Sequence, residues 1–246
     1  MTRILITGAS RGIGRAAALM AGARGWSVGV NYRDRRDAAD DVVVAVEKAG
    51  GRAIALQADV AQADDVARIF DRAEAAFGGL DAVVANAGIV APAMALAQTT
   101  PDRLERMVRV NLLGALLVAR EAARRLPRED GVTTSLTLMS SAAARLGSPG
   151  EFVDYAASKG AIDTLTLGLA KELGPRNVRV NAIRPGLIET EMQADSGIPD
   201  RATRLAGSIP MGRPGSADEV AEAIIWLASD AARYVSGAIL DVSGGR

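Results

Sequence analysis

A doubly wound α/β fold, with one parallel sheet covered by helices on both faces, is predicted for this 246-residue chain by three observations. Short apolar, β-branched runs alternate with longer helical patterns from end to end, the order that parallel strands with crossover helices require. A glycine-rich turn follows the first run directly and opens the first helix. No repeat, low-complexity tract or linker divides the chain, and its length suits one domain spanning 1–246.

In chain order, strands are expected at 4–7, 27–31, 53–57, 82–85, 135–139, 178–183 and 238–242. Helices are expected between them at 12–24, 38–49, 63–77, 101–126, 154–173 and 217–229. Two of these helices are apolar on more than one face. The first is nearly continuous from Met107 through Ala119, and the second spreads Ile162, Leu165, Leu167 and Leu169 around its axis. A helix apolar all round is buried on both sides. The sheet covers one side and a second subunit is the simplest cover for the other, so a homotetramer, or at least a dimer, is expected. The stretch 186–214, rich in Gly, Pro, Ser and charges, breaks the rhythm and is expected to be a substrate loop.

Composition narrows the chemistry. Apolar residues make up 49% of the chain and aromatics only 3%, so the core must be mostly aliphatic. Formal net charge is zero with signs interspersed, unlike the footprint of a nucleic-acid binder. There is no cysteine, which excludes disulfides and thiolate metal sites, and no histidine, which excludes a Ser-His-Asp triad. No metal ligand set is apparent. The N-terminus enters a strand without a signal-peptide core, and no apolar run is long enough to span a bilayer. A soluble cytoplasmic protein is the expectation.

The turn Thr7-Gly8-Ala9-Ser10-Arg11-Gly12-Ile13-Gly14 lies where a dinucleotide pyrophosphate would meet a helix N-terminus. Its place at the first strand–helix junction makes nucleotide binding a better reading than an ordinary turn. The end of the second strand should choose the cofactor. An acidic residue there would hold a ribose 2′-hydroxyl, and an Arg would accommodate a 2′-phosphate. The chain reads Asn31-Tyr32-Arg33, with no carboxylate until Asp34, and Arg11 lies in the turn. NADP is expected, with NAD possible because of Asp34.

Tyr155 and Lys159 stand four residues apart on an expected helix, so their side chains share a face. Only three of the 29 basic residues are lysines, which makes a Lys at this spacing informative. An ammonium beside a phenol should lower its pKa and give a proton donor and acceptor usable near neutrality. Unlike Arg, Lys can also release a proton.

Taken together, Thr7-Gly8-x-x-x-Gly12-x-Gly14, Asp59-Val60, Asn86-Ala87-Gly88, Asn111, Ser140-Ser141, Tyr155-x-x-x-Lys159 and Arg184-Pro185-Gly186 with Thr190 resemble the short-chain dehydrogenase/reductase superfamily. The likeness covers essentially the whole chain, and is nearest to bacterial members of the glucose dehydrogenase-like and 3-oxoacyl-carrier-protein reductase-like kinds. It implies a Rossmann fold and an NADP(H)-dependent enzyme interconverting an alcohol and a carbonyl. It further implies that Tyr155 is the acid/base and that Lys159 is its partner, also contacting the nicotinamide ribose. Ser141 would orient the substrate oxygen, although fourteen positions separate it from Tyr155, one more than in many relatives. Asn111 would help hold a water in the proton relay. Asp59 and Val60 would flank the adenine, Asn86 to Gly88 would lie under the cofactor, and Pro185, Gly186, Ile188 and Thr190 would contact its nicotinamide end. The alternative is an NADP-binding sensor or scaffold without turnover, which would be expected to have lost part of the Ser-Tyr-Lys set. The expected partner is a small-molecule alcohol or carbonyl. Its walls are expected at 92–94, 145–152 and the loop after Gly186, with no strong signal for a phosphorylated substrate or acidic carrier protein.

Overall fold

The computed structural model describes residues 1–198 and 200–246, and for Gln193 the backbone alone. Seven strands form one parallel sheet: β1 (Arg3–Ile6), β2 (Ser27–Tyr32), β3 (Arg52–Gln57), β4 (Ala82–Ala85), β5 (Thr134–Met139), β6 (Val178–Pro185) and, at the end of the chain, β9 (Ile239–Val242). Their spatial order is β3-β2-β1-β4-β5-β6-β9. The chain therefore winds outward from β1 in one direction and returns to start again at β4. A crevice opens at the carboxyl ends of β1 and β4, where the winding reverses, and ligands of such sheets bind there.

Both faces of the sheet are covered. Helices α1 (Gly12–Ala23), α2 (Arg36–Lys48) and α10 (Ala217–Ala228) pack on one side, where Ala17, Ala21, Val42, Ile224 and Ile225 meet Ile4, Ile6, Val28 and Val30. Helices α3 (Ala63–Phe77), α5 (Gly114–Arg125) and α7 (Val153–Leu173) pack on the other, burying Phe70, Val118 and Ile162 against Leu5, Leu136 and Leu138. Strands covered on both faces need not alternate polar with apolar, and all residues of β2, β4 and β5 are buried.

The expected helix at 101–126 is not continuous. It runs as α4 (Pro101–Met107), a π-helical turn (Val108–Leu113) and α5. A single-turn π-helix inside an α-helix inserts extra backbone and re-aims the side chains on it. Here the turn holds Asn111, whose 1% exposed side chain hydrogen-bonds Ile89 on the loop beyond β4, donating to its carbonyl and accepting from its N–H. Local pattern could not show this, because the bulge is held by a residue 22 positions away.

The stretch 186–214 is broken by short elements: β7 (Ile188–Glu189), α8 (Met192–Asp195) and α9 (Arg201–Arg204). β7 pairs with β8 (Gly215–Ser216), and Ser216 then caps α10 in a reciprocal box with Glu219, which ties down the far end of the loop.

Candidate active site

The glycine turn is built from backbone that other residues could not supply. Gly8 (φ +64°) and Gly12 (φ +53°) are left-handed, and a Cβ on Gly14 would lie 2.5 Å from the Gly8 carbonyl oxygen. Two asparagines, Asn31 buried and Asn86 half-buried, sew the turn to the sheet. Asn86 Nδ2 donates to the carbonyls of Thr7 (2.8 Å) and Gly8 (3.2 Å). Asn31 Oδ1 accepts from Gly8 N–H (3.1 Å), while its Nδ2 donates to Leu56 and Ala58 carbonyls. Thr7 Oγ1 accepts from the N–H groups of Asn86 and Ala87, both at 3.0 Å. These bonds fix where β1, β2 and β4 end, and hold the cleft open between them.

That cleft has a volume of about 250 Å³. Gly8, Ser10, Arg11, Gly12, Ile13 and Gly14 line it from the turn, Asn31 and Arg33 from the end of β2, and Asp59 and Val60 from beyond β3. Asn86, Ala87, Gly88 and Thr190 complete the side toward α7. A Cβ on Gly88 would lie 3.3 Å from Asn111 Oδ1 and 3.6 Å from Lys159 Nζ, so the missing side chain keeps that corner clear. A cleft lined by a helix N-terminus and by the basic residues Arg11, Arg33 and Arg35 fits a dinucleotide.

At the basic end, Arg33 Nε donates to Asp34 (2.7 Å), and Arg11 Nη2 donates to Asp195 of α8 (2.6 Å). Arg35, just before α2, also lines the cleft.

A second cavity, of about 110 Å³, adjoins the first at Met192, which lines both. Tyr155 and Ser141 face it. Tyr155 rides on α7, a 21-residue helix that starts with Asp154 in its first turn and ends before Gly174-Pro175. Burial pushes the Tyr155 phenol above its usual pKa, and a hydrogen bond with Ser141 opposes that push. Ser141 Oγ also accepts from Ala143 N–H at 3.1 Å. Ser140 instead turns inward and donates to the Lys159 carbonyl, so of the two serines only Ser141 lines the cavity.

Lys159 lies beneath, 4% exposed, with Nζ donating to the Met139 carbonyl (2.7 Å) and 5.6 Å from the centre of the Tyr155 ring. Burial lowers its pKa to about 8, against the favourable charge of Asp163. The sequence led us to expect Lys159 to depress the Tyr155 pKa. The structure gives the opposite direction for the phenol, because desolvation outweighs the help it receives and that help comes from Ser141.

A family model described as enoyl-(acyl carrier protein) reductase matches residues 8–246. An uncharacterized oxidoreductase of Escherichia coli, YgfF, is 46% identical over 247 residues, covering 100% of both chains. A short-chain dehydrogenase from Burkholderia cenocepacia, crystallised in complex with NADP, superposes with a TM-score of 0.91 at 35% identity, covering 99% of this chain and 97% of its own. The 3-ketoacyl-(acyl-carrier-protein) reductase of Brucella melitensis, complexed with NADH, gives 0.92 at 32% identity, covering 100% and 98%. The chain belongs to the short-chain dehydrogenase/reductase family. It is an oxidoreductase of that family.

Not every residue singled out in the sequence of this oxidoreductase lines a cavity. Tyr32 and Ile188 are each 5% exposed in the core beside α1 and α10. Pro185 ends β6 and accepts a hydrogen bond from Ala142 N–H, while Gly186 lines the Tyr155 cavity instead of the dinucleotide cleft. The expected wall at 92–94 stands behind the cavity as a brace: Ala93 and Met94 donate to the carbonyls of Ser196 and Glu151. Met192 and Arg201 line the cavities from the expected substrate loop. Arg35 was missed but could have been found, as a third guanidinium beside Arg33. Arg246, which lines the Tyr155 cavity, carries no local signal. No described helix of this oxidoreductase is long and apolar enough to cross a membrane.

Proposed function

We propose that this chain interconverts an alcohol and a carbonyl with NADP(H) as hydride carrier, NAD also being accepted, and that Ser141, Tyr155 and Lys159 handle the proton. The observation that carries this reading is the placement of Tyr155 and Ser141 in one small cavity that meets the dinucleotide cleft at Met192. The cofactor, when bound, supplies or takes up the hydride. In reduction, Tyr155 gives its hydroxyl proton to the substrate oxygen, and its raised pKa keeps it protonated until that oxygen becomes basic. Ser141 holds the same oxygen as charge develops on it. Lys159, with a pKa of about 8, is the next proton source for the phenolate that remains. Asn111 and Lys159 converge at Gly88, so a water held there would link them to solvent.

Arg33, Arg35 and Arg11 favour NADP through its 2′-phosphate. The two carboxylates that now pair with Arg33 and Arg11 are solvent-exposed, and such pairs contribute about 0–1 kcal/mol. A hydrogen bond to a charged phosphate contributes roughly 1.5–3 kcal/mol. The phosphate therefore wins both guanidiniums. Residues 186–214 serve as the cover of the substrate cavity. The assembly is a homotetramer built on the two helical faces where Val108, Leu113, Leu116 and Leu167 stand exposed.

Replacing Tyr155 with Phe tests the reading. Turnover should fall at least a thousandfold with NADPH binding intact, whereas a sensor would bind NADPH and turn nothing over in its native form.

A further inference from the structure

Two arginines line the Tyr155 cavity and have no part in the proton transfer described above. Arg201 enters from α9 with its side chain 13% exposed. Its Nη2 donates to Glu151 Oε2 (2.6 Å) and its plane lies over Phe152, 5.1 Å from the ring centre. Its Nε is buried and has no hydrogen-bond partner among the described residues.

Arg246 lines the same cavity. Its carbonyl is held by Arg145 Nη2 (2.6 Å) and Ser243 Oγ (2.9 Å), so the side chain projects from a fixed point of backbone. Burial lowers the pKa of Arg246 and the charge of Arg201 lowers it further, while Glu151 works the other way. Two like charges thus share one wall, and Glu151 acts on both. Among the described residues that line the cavity, none is Asp or Glu. The remainder of the wall is apolar or hydroxylic: Leu146, Phe152 and Leu187, with Ser148 and Ser196.

We propose that the substrate is an oxo- or hydroxy-carboxylate, its carboxylate held by Arg246 and Arg201 while Ser141 and Tyr155 hold the oxygen that reacts. This rests on the active-site reading above. Guanidinium pairs well with carboxylate because two parallel N–H donors match its two oxygens. A cavity lined by two arginines and by no acidic side chain suits an anionic group on the substrate. A volume of about 110 Å³ is small beside the 300–1,000 Å³ typical of sites for drug-sized ligands, so the carbon skeleton joining the two groups is short.

The test pairs acids with neutral isosteres. Reduction of acetoacetate, levulinate and succinic semialdehyde, each beside its methyl ester, is followed by NADPH absorbance. The best acid should exceed its ester at least tenfold in kcat/KM. Arg246→Met and Arg201→Met should each bring that ratio toward one, chiefly by raising KM for the acid, with NADPH binding and thermal unfolding measured to show that the fold survives. Succinate, which has no carbonyl to reduce, should compete with the acid, and dimethyl succinate should not. Equal use of acid and ester, an acid preference that survives both substitutions, or better turnover of dihydroxyacetone phosphate than of any acid would overturn the proposal. Reduction of neutral ketones without any preference for acids would sink it and leave the alcohol–carbonyl reading standing. A native protein that binds NADPH and reduces no ketone, aldehyde or acid would bring down both.

Discussion

Arg103 grips Asp154 with two hydrogen bonds, Nε to Oδ2 at 2.8 Å and Nη2 to Oδ1 at 3.2 Å, one residue before Tyr155. The pair is buried, 11% and 4% exposed in its side chains, and it joins α4 to the start of the helix that carries Tyr155 and Lys159. A third bond runs from Arg103 to the Pro92 carbonyl, and Asp154 Oδ1 also accepts from the Tyr155 N–H. Burial pushes the Asp154 carboxyl up, but Arg103 and that N–H overcome the push and hold it below its usual range.

Removing one partner of such a pair leaves a charge buried without compensation. Arg103→Met should therefore destabilise the protein by about 3–5 kcal/mol in urea unfolding. It should also lower kcat, because Tyr155 loses the anchor beside it. The double variant with Asp154→Leu should recover part of the stability. Urea curves for Arg103→Met that overlay those of the native protein would show that the pair contributes nothing.

Lys159 gives a pH dependence with a definite sign. Its folded pKa of about 8 lies below its ordinary 10.5, so between those values the unfolded chain binds more protons than the folded one. Stability contributed by this site therefore rises with pH across that window, by on the order of 3 kcal/mol in all. Above pH 10 the raised pKa of Tyr155 acts the other way, since there the folded protein holds the extra proton. The native protein should gain on Lys159→Met between pH 8 and 10 in chemical denaturation, and kcat for reduction should decline as pH passes 8. A stability difference that stays flat over that range would count against a lowered Lys159 pKa.

Cofactor choice should answer to Arg33 and Arg35. Losing one charged hydrogen bond to the 2′-phosphate costs about tenfold or more in affinity. Arg33→Ala should raise KM for NADPH by that factor and leave NADH nearly unaffected, and the double variant with Arg35→Ala should go further. Equal efficiency with NADPH and NADH in the native protein would remove the basis for this assignment.

Assembly should depend on the exposed apolar residues of the π-turn, α5 and α7. Leu113, Leu116 and Leu167 are 41%, 39% and 46% exposed, and a charge placed at an apolar interface is strongly disfavoured. Leu116→Asp with Leu167→Asp should shift the mass found by light scattering toward the monomer and lower activity without touching the cavity. A native protein that is monomeric at micromolar concentration contradicts the tetramer.

The parts of this molecule legible in its sequence are those that short-range physics decides. Strand and helix periodicity marked the seven strands of the sheet, with most ends within one or two residues. The glycines of 8–14 could be read because a tight turn into a helix leaves few alternatives, and Tyr155 with Lys159 because four residues make one helical turn. The rest needed the tertiary structure. Arg11 reaches Asp195 across 184 positions, and Arg145 fixes Arg246 across 101, so no local pattern could bring either pair together. The π-turn that turns Asn111 toward Ile89 sits in a segment that reads as plain helix. The direction of the Tyr155 pKa shift was likewise beyond the sequence. Spacing tells which charges are near a group, but desolvation depends on every element packed around it, and at Tyr155 desolvation is the larger effect.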